Sequence, residues 1–290
     1  MLGLQDWHLD ERQRGDCSSG YRYMVPYLGA YNKAQSFHIV MEYMAQSDLK
    51  HYMNIPWGGH NTRIVAKQLL SGLQFLHKAG LAHRDLKPLV GSVIMGVFMN
   101  KFSDLLMQNI FPILDHDKNL HIKIGDFSAA KIPTTDDPLK TVIGTWAYQA
   151  PEVLCGEPYD DAVDIWSLGC LFFRLWTGKP VFHSRKQLYT HAFCSPEKPP
   201  EAIGKGIKDK AAVELITEML QIVPQNRPSA QHALSHAWFT NQPGLETQKV
   251  TQEVYAQFMK VLKGKPILQR LTVEPDEPLP NASSSGETTH

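Results

Sequence analysis

The sequence predicts an α+β chain in which a small antiparallel sheet gives way to a long helical region, and three patterns predict it. Tyr27 to Tyr31 and Ser36 to Glu42 are short apolar or aromatic runs separated by Asn32-Lys33-Ala34-Gln35, the pattern of two strands and a tight connection. After Asp48, the residues Ile64, Ala66, Leu69, Leu70, Leu73, Phe75 and Leu76 recur at three- and four-residue intervals up to Gly80, which predicts a helix with one buried face. Further helical periods fall at Asp161 to Thr177, Lys208 to Gln221 and Ser229 to His236, with Pro and Gly between them.

The ends carry less pattern. From 1 to 20 the chain is polar, with Gly15 and Gly20 interrupting any helix, so a poorly ordered start is expected. Beyond Phe239 the chain reads as a solvated extension over 240–273, in which Val250, Val254, Phe258 and Val261 could line one face of an extra helix. Residues 274–290 are rich in Pro, Ser, Gly and Thr and predict a flexible tail.

With 290 residues, 43% of them apolar, the chain can build a sizeable core. Lys+Arg and Asp+Glu are both 29, so no global field draws it to nucleic acid or an anionic membrane, and neither is expected as a partner. Cys17, Cys155, Cys170 and Cys194 form no CxxC pair, and no apolar run suits a signal peptide. The apolar window from Leu89 to Met99 is too short to cross a bilayer as a helix. The expectation is an intracellular protein, cytoplasmic or nuclear.

Chemistry concentrates in two loops. His83-Arg84-Asp85-Leu86-Lys87-Pro88 follows the long helix, and Ile122-Lys123-Ile124-Gly125-Asp126-Phe127-Ser128 reads as a strand ending in an acid. Phosphoryl transfer asks for one acid that orients the attacking hydroxyl and another that holds Mg²⁺ against the phosphates. Asp85 and Asp126 suit those two tasks. Either loop alone is weak evidence, because an Asp in a loop is usually a solvated turn residue; the ordered pair is strong.

Downstream, Ala150-Pro151-Glu152, Asp164-Ile165-Trp166-Ser167-Leu168-Gly169 and Gln225-Asn226-Arg227-Pro228 follow in order. With these motifs the chain from Tyr21 to Phe239 resembles the eukaryotic protein kinase family, serine/threonine type. The resemblance implies a kinase-like fold, mainly the helical C-terminal lobe with a remnant of the N-terminal lobe sheet. It implies ATP and Mg²⁺ as cofactors and a protein substrate. Asp85 becomes the catalytic base, Lys87 the contact to the transferring phosphate, and Asp126 a metal ligand. Met41-Glu42-Tyr43-Met44 takes the place of the hinge, with Met41 at the back of the pocket and backbone groups beside Glu42 and Met44 facing adenine; the bland alternative is an ordinary strand end. Lys87 after His-Arg-Asp-Leu and Thr145 in Gly144-Thr145-Trp146 match the serine/threonine pattern. Glu152 and Arg227 are implied to form a buried ion pair. Thr134, Thr135 and Thr141 lie where a regulatory kinase could act, answered by Arg84 and Lys131.

The sequence also departs from the family. No G-x-G-x-x-G precedes the hinge, Lys33 falls in the connection between two strands, and Glu11 stands in no helical stripe. Two strands alone leave backbone groups unpaired and apolar faces uncovered. Val90 occupies the position, five after Asp85, where the family has a metal-binding Asn. Asn109-Ile110-Phe111 resembles the displaced continuation, which makes Asn109 the second metal ligand and 90–108 an insertion in the catalytic loop. Two origins stay open: an in-frame intron translated with its exons, since Val codons begin GT and Gln can be CAG, or a genuine insertion that loops out. Ser128 replaces the Gly that follows Asp-Phe. Asp115 to Asn119 reads as a hairpin tip, with no Gly and Glu at the spacing of a Ca²⁺ loop. The rival to an enzyme is a catalytically inactive kinase-like scaffold.

Overall fold

The helical period after Asp48 becomes α1, Gly58–Lys78, in a computed structural model that describes residues 20–33, 36–82, 109–125, 146–194, 199–241 and 248–263. Its buried face carries Ile64, Val65, Leu69, Leu70, Leu73 and Leu76, the period read from the sequence. Against this face packs a hairpin of β3, Ile110–Leu114, and β4, Leu120–Ile124, paired in register from Ile110↔Ile124 to Leu114↔Leu120. The close approach depends on Gly72, where a Cβ would meet Ile124 Cδ1 and Met24 Cε at 2.8 Å each. Pro112 fits because a two-stranded ribbon has only edge strands.

Earlier in the chain, β1, Tyr27–Lys33, pairs antiparallel with β2, Ser36–Met41. Lys33 is the last residue of β1, in register with Ser36, and so extends the strand rather than sitting in the connection as expected. This ribbon joins the rest through Met24 to Pro26: Val25 N donates to Ile124 O at 2.8 Å, and Glu42 N to Pro26 O at 3.0 Å. As expected of so small a sheet, its apolar side chains are open to solvent, with Leu28 65% and Ile39 50% exposed.

The central helix of the lobe is α3, Ala162–Thr177, preceded by the short α2, Pro151–Leu154. Trp166, Leu168 and Phe172 of α3 are fully buried, and Gly178 closes it in the left-handed region (φ 73°) with its N–H on Arg174 O at 2.8 Å. Around α3 lie α4, Arg185–Cys194, α5, Glu201–Gly206, α6, Lys210–Met219, α7, Ala230–Leu234, and α8, Ala237–Thr240. The sequence pattern missed α4 and α5, whose buried residues are few: Leu188 and Ala192 in one, Ile203 in the other.

The solvated-extension expectation beyond Phe239 is corrected. The chain from Gln248 adds to the hairpin tip, with Leu120 N donating to Gln248 O at 2.8 Å and Val250 N to Lys118 O at 3.1 Å. It then forms α9, Gln252–Lys263, whose Val254 and Phe258 are buried. Phe258 stacks on Tyr52 with ring centroids 4.0 Å apart and lies 5.9 Å from Trp57. An apolar stripe of this kind is stable only against a partner face, and Tyr52 and Trp57 provide one.

Among the described residues no helix is long and apolar enough to cross a membrane. Residues 1–19, the insertion and the 274–290 tail lie outside the described residues.

Candidate active site

The strap after β2 begins with Met41 and Glu42, both exposed, and continues through Met44, which is half-buried. Glu42's amide hydrogen is committed to Pro26 O at 3.0 Å. Past Met44, the side chain of Gln46 crosses to β3: its Oε1 accepts from Leu114 N at 2.8 Å and its Nε2 donates to Leu114 O at 3.2 Å. Asp48 then caps a short 3-10 turn, Leu49–Tyr52, accepting from Lys50 N at 3.1 Å.

The hairpin opposite is held from every side. Gln68 of α1, itself buried, donates to Leu120 O at 2.7 Å and accepts from Ile122 N at 2.8 Å along the outer edge of β4. Gln46 does the same for the outer edge of β3. Two glutamine amides thus satisfy backbone groups that a wider sheet would pair with further strands. At the open end, the buried Asn109 accepts from Gly125 N through its carbonyl at 2.9 Å. Register therefore brings Asn109 directly opposite the residue before Asp126.

Of the candidate catalytic, nucleotide and metal residues, Met41, Glu42, Met44 and Asn109 are described, and Gln46 joins the stretch of the first three to β3, which follows the fourth. Asp85, Lys87 and Asp126 lie outside the described residues, as do Arg84, Ser128, Lys131, Thr134, Thr135, Thr141 and Thr145. The chain enters the first of these loops from Leu81 and Ala82, both buried, and the second from Ile124 and Gly125. Among the described residues no group of three or more His, Cys, Asp or Glu is arranged to hold a metal.

His77 near the end of α1 bridges to the start of α3, with Nε2 3.2 Å from Asp164 and Nδ1 3.5 Å from Asp161. Burial lowers the His77 pKa, but the hydrogen bond to Asp164 and the charges of Asp164, Asp161 and Asp160 together raise it above the ordinary 6.5. The turn Trp146–Tyr148 is tied to α3: Ser167 Oγ donates to Tyr148 O at 3.0 Å, and Arg174 Nη1 to the Tyr148 hydroxyl at 3.0 Å. The implied ion pair of Glu152 and Arg227 forms with two contacts, 2.6 Å and 2.8 Å. At the hairpin tip, Asp115 anchors the turn, accepting from Asn119 N at 2.8 Å and Asn119 Nδ2 at 3.0 Å. Its little burial raises its pKa, and hydrogen bonds from the Asn119 side chain and backbone and from His121 bring it down to about 2.

Sequence reasoning passed over Gln46, Gln68 and His77. A polar residue in a loop or on a helix carries no period, and each of these finds its partner more than fifty residues away in the chain.

The comparisons agree with this geometry. The chain is 28% identical to serine/threonine-protein kinase RAD53 of Saccharomyces cerevisiae over 87% of its own length and 29% of the relative's. It is 36% identical to serine/threonine-protein kinase cds1 of Schizosaccharomyces pombe over 69% of its length and 41% of the relative's. It therefore spans less than half of either. Among solved structures, the crystal structure of the Rad53 kinase domain and SCD2 in complex with AMPPNP matches in fold with a TM-score of 0.57 at 24% identity, covering 82% of this chain and 81% of that one. The protein kinase domain family matches residues 8–89 and 100–239, leaving out 90–99 inside the stretch that sequence sets apart. A match over most of the chain, with the ion pair, central helix and hairpin in place, makes this chain a member of the protein kinase domain family.

Proposed function

We propose that the chain is a partial kinase domain of a protein serine/threonine kinase, which transfers the γ-phosphate of ATP to Ser or Thr hydroxyls of protein substrates. The observation that carries the reading is the pairing of Asn109 with Gly125, which ties the residue that matches the family's displaced Asn to the residue that precedes Asp126 in the sequence. An amide oxygen and a carboxylate are the hard oxygen donors that Mg²⁺ takes, so this donor set fits the ion. Val90 offers no such donor, which favours Asn109 as the residue acting five places after Asp85 once 90–108 is set aside. When bound, ATP and Mg²⁺ supply the phosphoryl group and neutralise its developing charge. Asp85 orients the acceptor hydroxyl and takes its proton, and Lys87 steadies the phosphate oxygens. Adenine is read by the strap from Met41 to Met44 through the Glu42 carbonyl and the backbone beyond it. The Rad53 kinase domain, which shares this fold, is in complex with AMPPNP, which supports a nucleotide as ligand. A kinase acting on Thr134, Thr135 or Thr141 is the regulatory partner this reading implies.

Val90, five places after Asp85, offers no metal donor while 90–108 is present, so positioning of the phosphates is weakened. A test separates an impaired enzyme from an inactive scaffold. Transfer of labelled phosphate from Mg·ATP to a degenerate Ser/Thr peptide library is measured for the chain, for Asp85→Asn, and for the chain lacking 90–108. An impaired kinase shows transfer that falls about 10²-fold or more in Asp85→Asn and rises when the segment is removed. Equal background in all three leaves the scaffold.

A further inference from the structure

Gln46 stands just past the strap and is fixed at both ends. Its side chain holds Leu114 by both backbone groups, at 2.8 Å and 3.2 Å. Its own carbonyl accepts from the hydroxyl of Tyr52, a fully buried residue stacked on Phe258. Burial and then the charge of Asp48 raise the Tyr52 pKa, so the hydroxyl stays a donor. The strap has a second tether upstream, from Glu42 N to Pro26 O, and Pro26 in turn follows Val25, which is bonded to β4. The segment carrying Met41 to Met44 is thus spanned between β4 on one side and β3 on the other. Met41, Glu42 and Tyr43 themselves are exposed and receive little packing that could fix their height.

We propose that Gln46 is a positioning residue of the nucleotide site, setting the strap that reads adenine at a fixed distance from the hairpin that carries Asn109. The proposal rests on the functional reading above. A glutamine suits the task because one amide carries a donor and an acceptor that match the carbonyl and N–H of a single strand residue. Glutamate keeps the acceptor for Leu114 N but turns a carboxylate oxygen toward Leu114 O. Methionine keeps the length and makes neither bond. Gln68 makes the same double contact with β4 but belongs to α1 and does not touch the strap, so its role is confined to the hairpin.

The test measures the affinity of the whole chain for two probes by titration calorimetry: Mg·AMPPNP, which engages the strap, and Mg·tripolyphosphate, which does not. The loss of two hydrogen bonds predicts that Gln46→Met weakens Mg·AMPPNP roughly three- to tenfold while leaving Mg·tripolyphosphate unchanged, with Gln46→Glu in between. Tyr52→Phe, which deletes only the hydroxyl, moves Mg·AMPPNP in the same direction by about two- to threefold and serves where Gln46→Met does not fold. Equal Mg·AMPPNP affinity in all four proteins overturns the positioning role, and so does an equal loss for both probes, which is the mark of a general loosening. A wild-type chain that takes up neither probe overturns the functional reading and this proposal with it.

Discussion

Arg227 spends all five of its N–H donors in a site almost closed to solvent. Nε donates to Gln221 O at 2.8 Å, Nη1 to Glu152 Oε1 at 2.6 Å and Ala162 O at 3.1 Å, and Nη2 to Glu152 Oε2 at 2.8 Å and Ile222 O at 3.2 Å. Its side chain is 0% exposed and that of Glu152 5%. Replacing Arg227 by Met keeps the bulk but strands the Glu152 charge, at a cost of about 3–5 kcal/mol. Near a slope of about 3 kcal/mol per M, this shifts the urea midpoint down by about 1–2 M. Trp166 reports the change, because the guanidinium lies 5.1 Å from its ring. The second substitution decides the cause. If the cost is the stranded charge, Arg227→Met/Glu152→Leu recovers part of it, with a coupling of about 2–3 kcal/mol. Recovery is incomplete because the carbonyls of Gln221, Ala162 and Ile222 stay without their donor. A single-variant loss below about 1 kcal/mol, the range of an exposed pair, refutes the burial argument. A double variant that merely adds the two single losses refutes the pairing.

Two further outcomes follow from packing and charge. His77 has a folded-state pKa above its ordinary 6.5, so its contribution to stability is complete below that value and is lost as pH rises through the raised one. Urea midpoints followed upward from about pH 6, below the ordinary value, should therefore fall with rising pH in the parent chain, and less so in His77→Gln. Phe258→Ala removes a ring that is fully buried against Tyr52 and Trp57 and should cost about 3–5 kcal/mol in the same unfolding experiment; a loss near zero would mean that α9 detaches in solution.

The residues that announced themselves in sequence are those whose role is local or periodic. Leu69, Leu73 and Leu76 recur at helical spacing because one face of α1 is buried, and Ile122 and Ile124 alternate because β4 has one face on that helix. Glu152 and Arg227 came only through the order of family motifs, since nothing in a lone Glu predicts a partner 75 residues on. Asn109 was singled out because its continuation, Ile110-Phe111, matched the family after a displacement, and in the fold its carbonyl pairs with Gly125 N. Gln46 and Gln68 gave no signal. Their value lies in which strand edges happen to lie open, and a strand edge is a property of the assembled sheet. The amphipathic stripe of α9 was visible, but whether such a stripe is buried depends on an apolar face elsewhere, here Tyr52 and Trp57, that the local pattern cannot supply.

The end of the family match and the end of the physical unit differ. The match stops at residue 239, yet the next described stretch supplies the acceptor for Leu120 N, and its Val250 N occupies Lys118 O. Asn61 at the start of α1 is buried and turned toward the same stretch, accepting from Thr251 N at 2.9 Å and donating to Thr251 Oγ1 at 3.1 Å. Phe258 covers Tyr52, whose hydroxyl binds the carbonyl of Gln46. A chain cut after Asn241 loses each of these partners at once, and the exposed groups are on the hairpin, the first turn of α1 and the strap rather than on a free surface. The segment that looked like an appendage is therefore part of what holds Met41 to Met44 and Asn109 in relation to each other, and the functional lobe extends through Lys263.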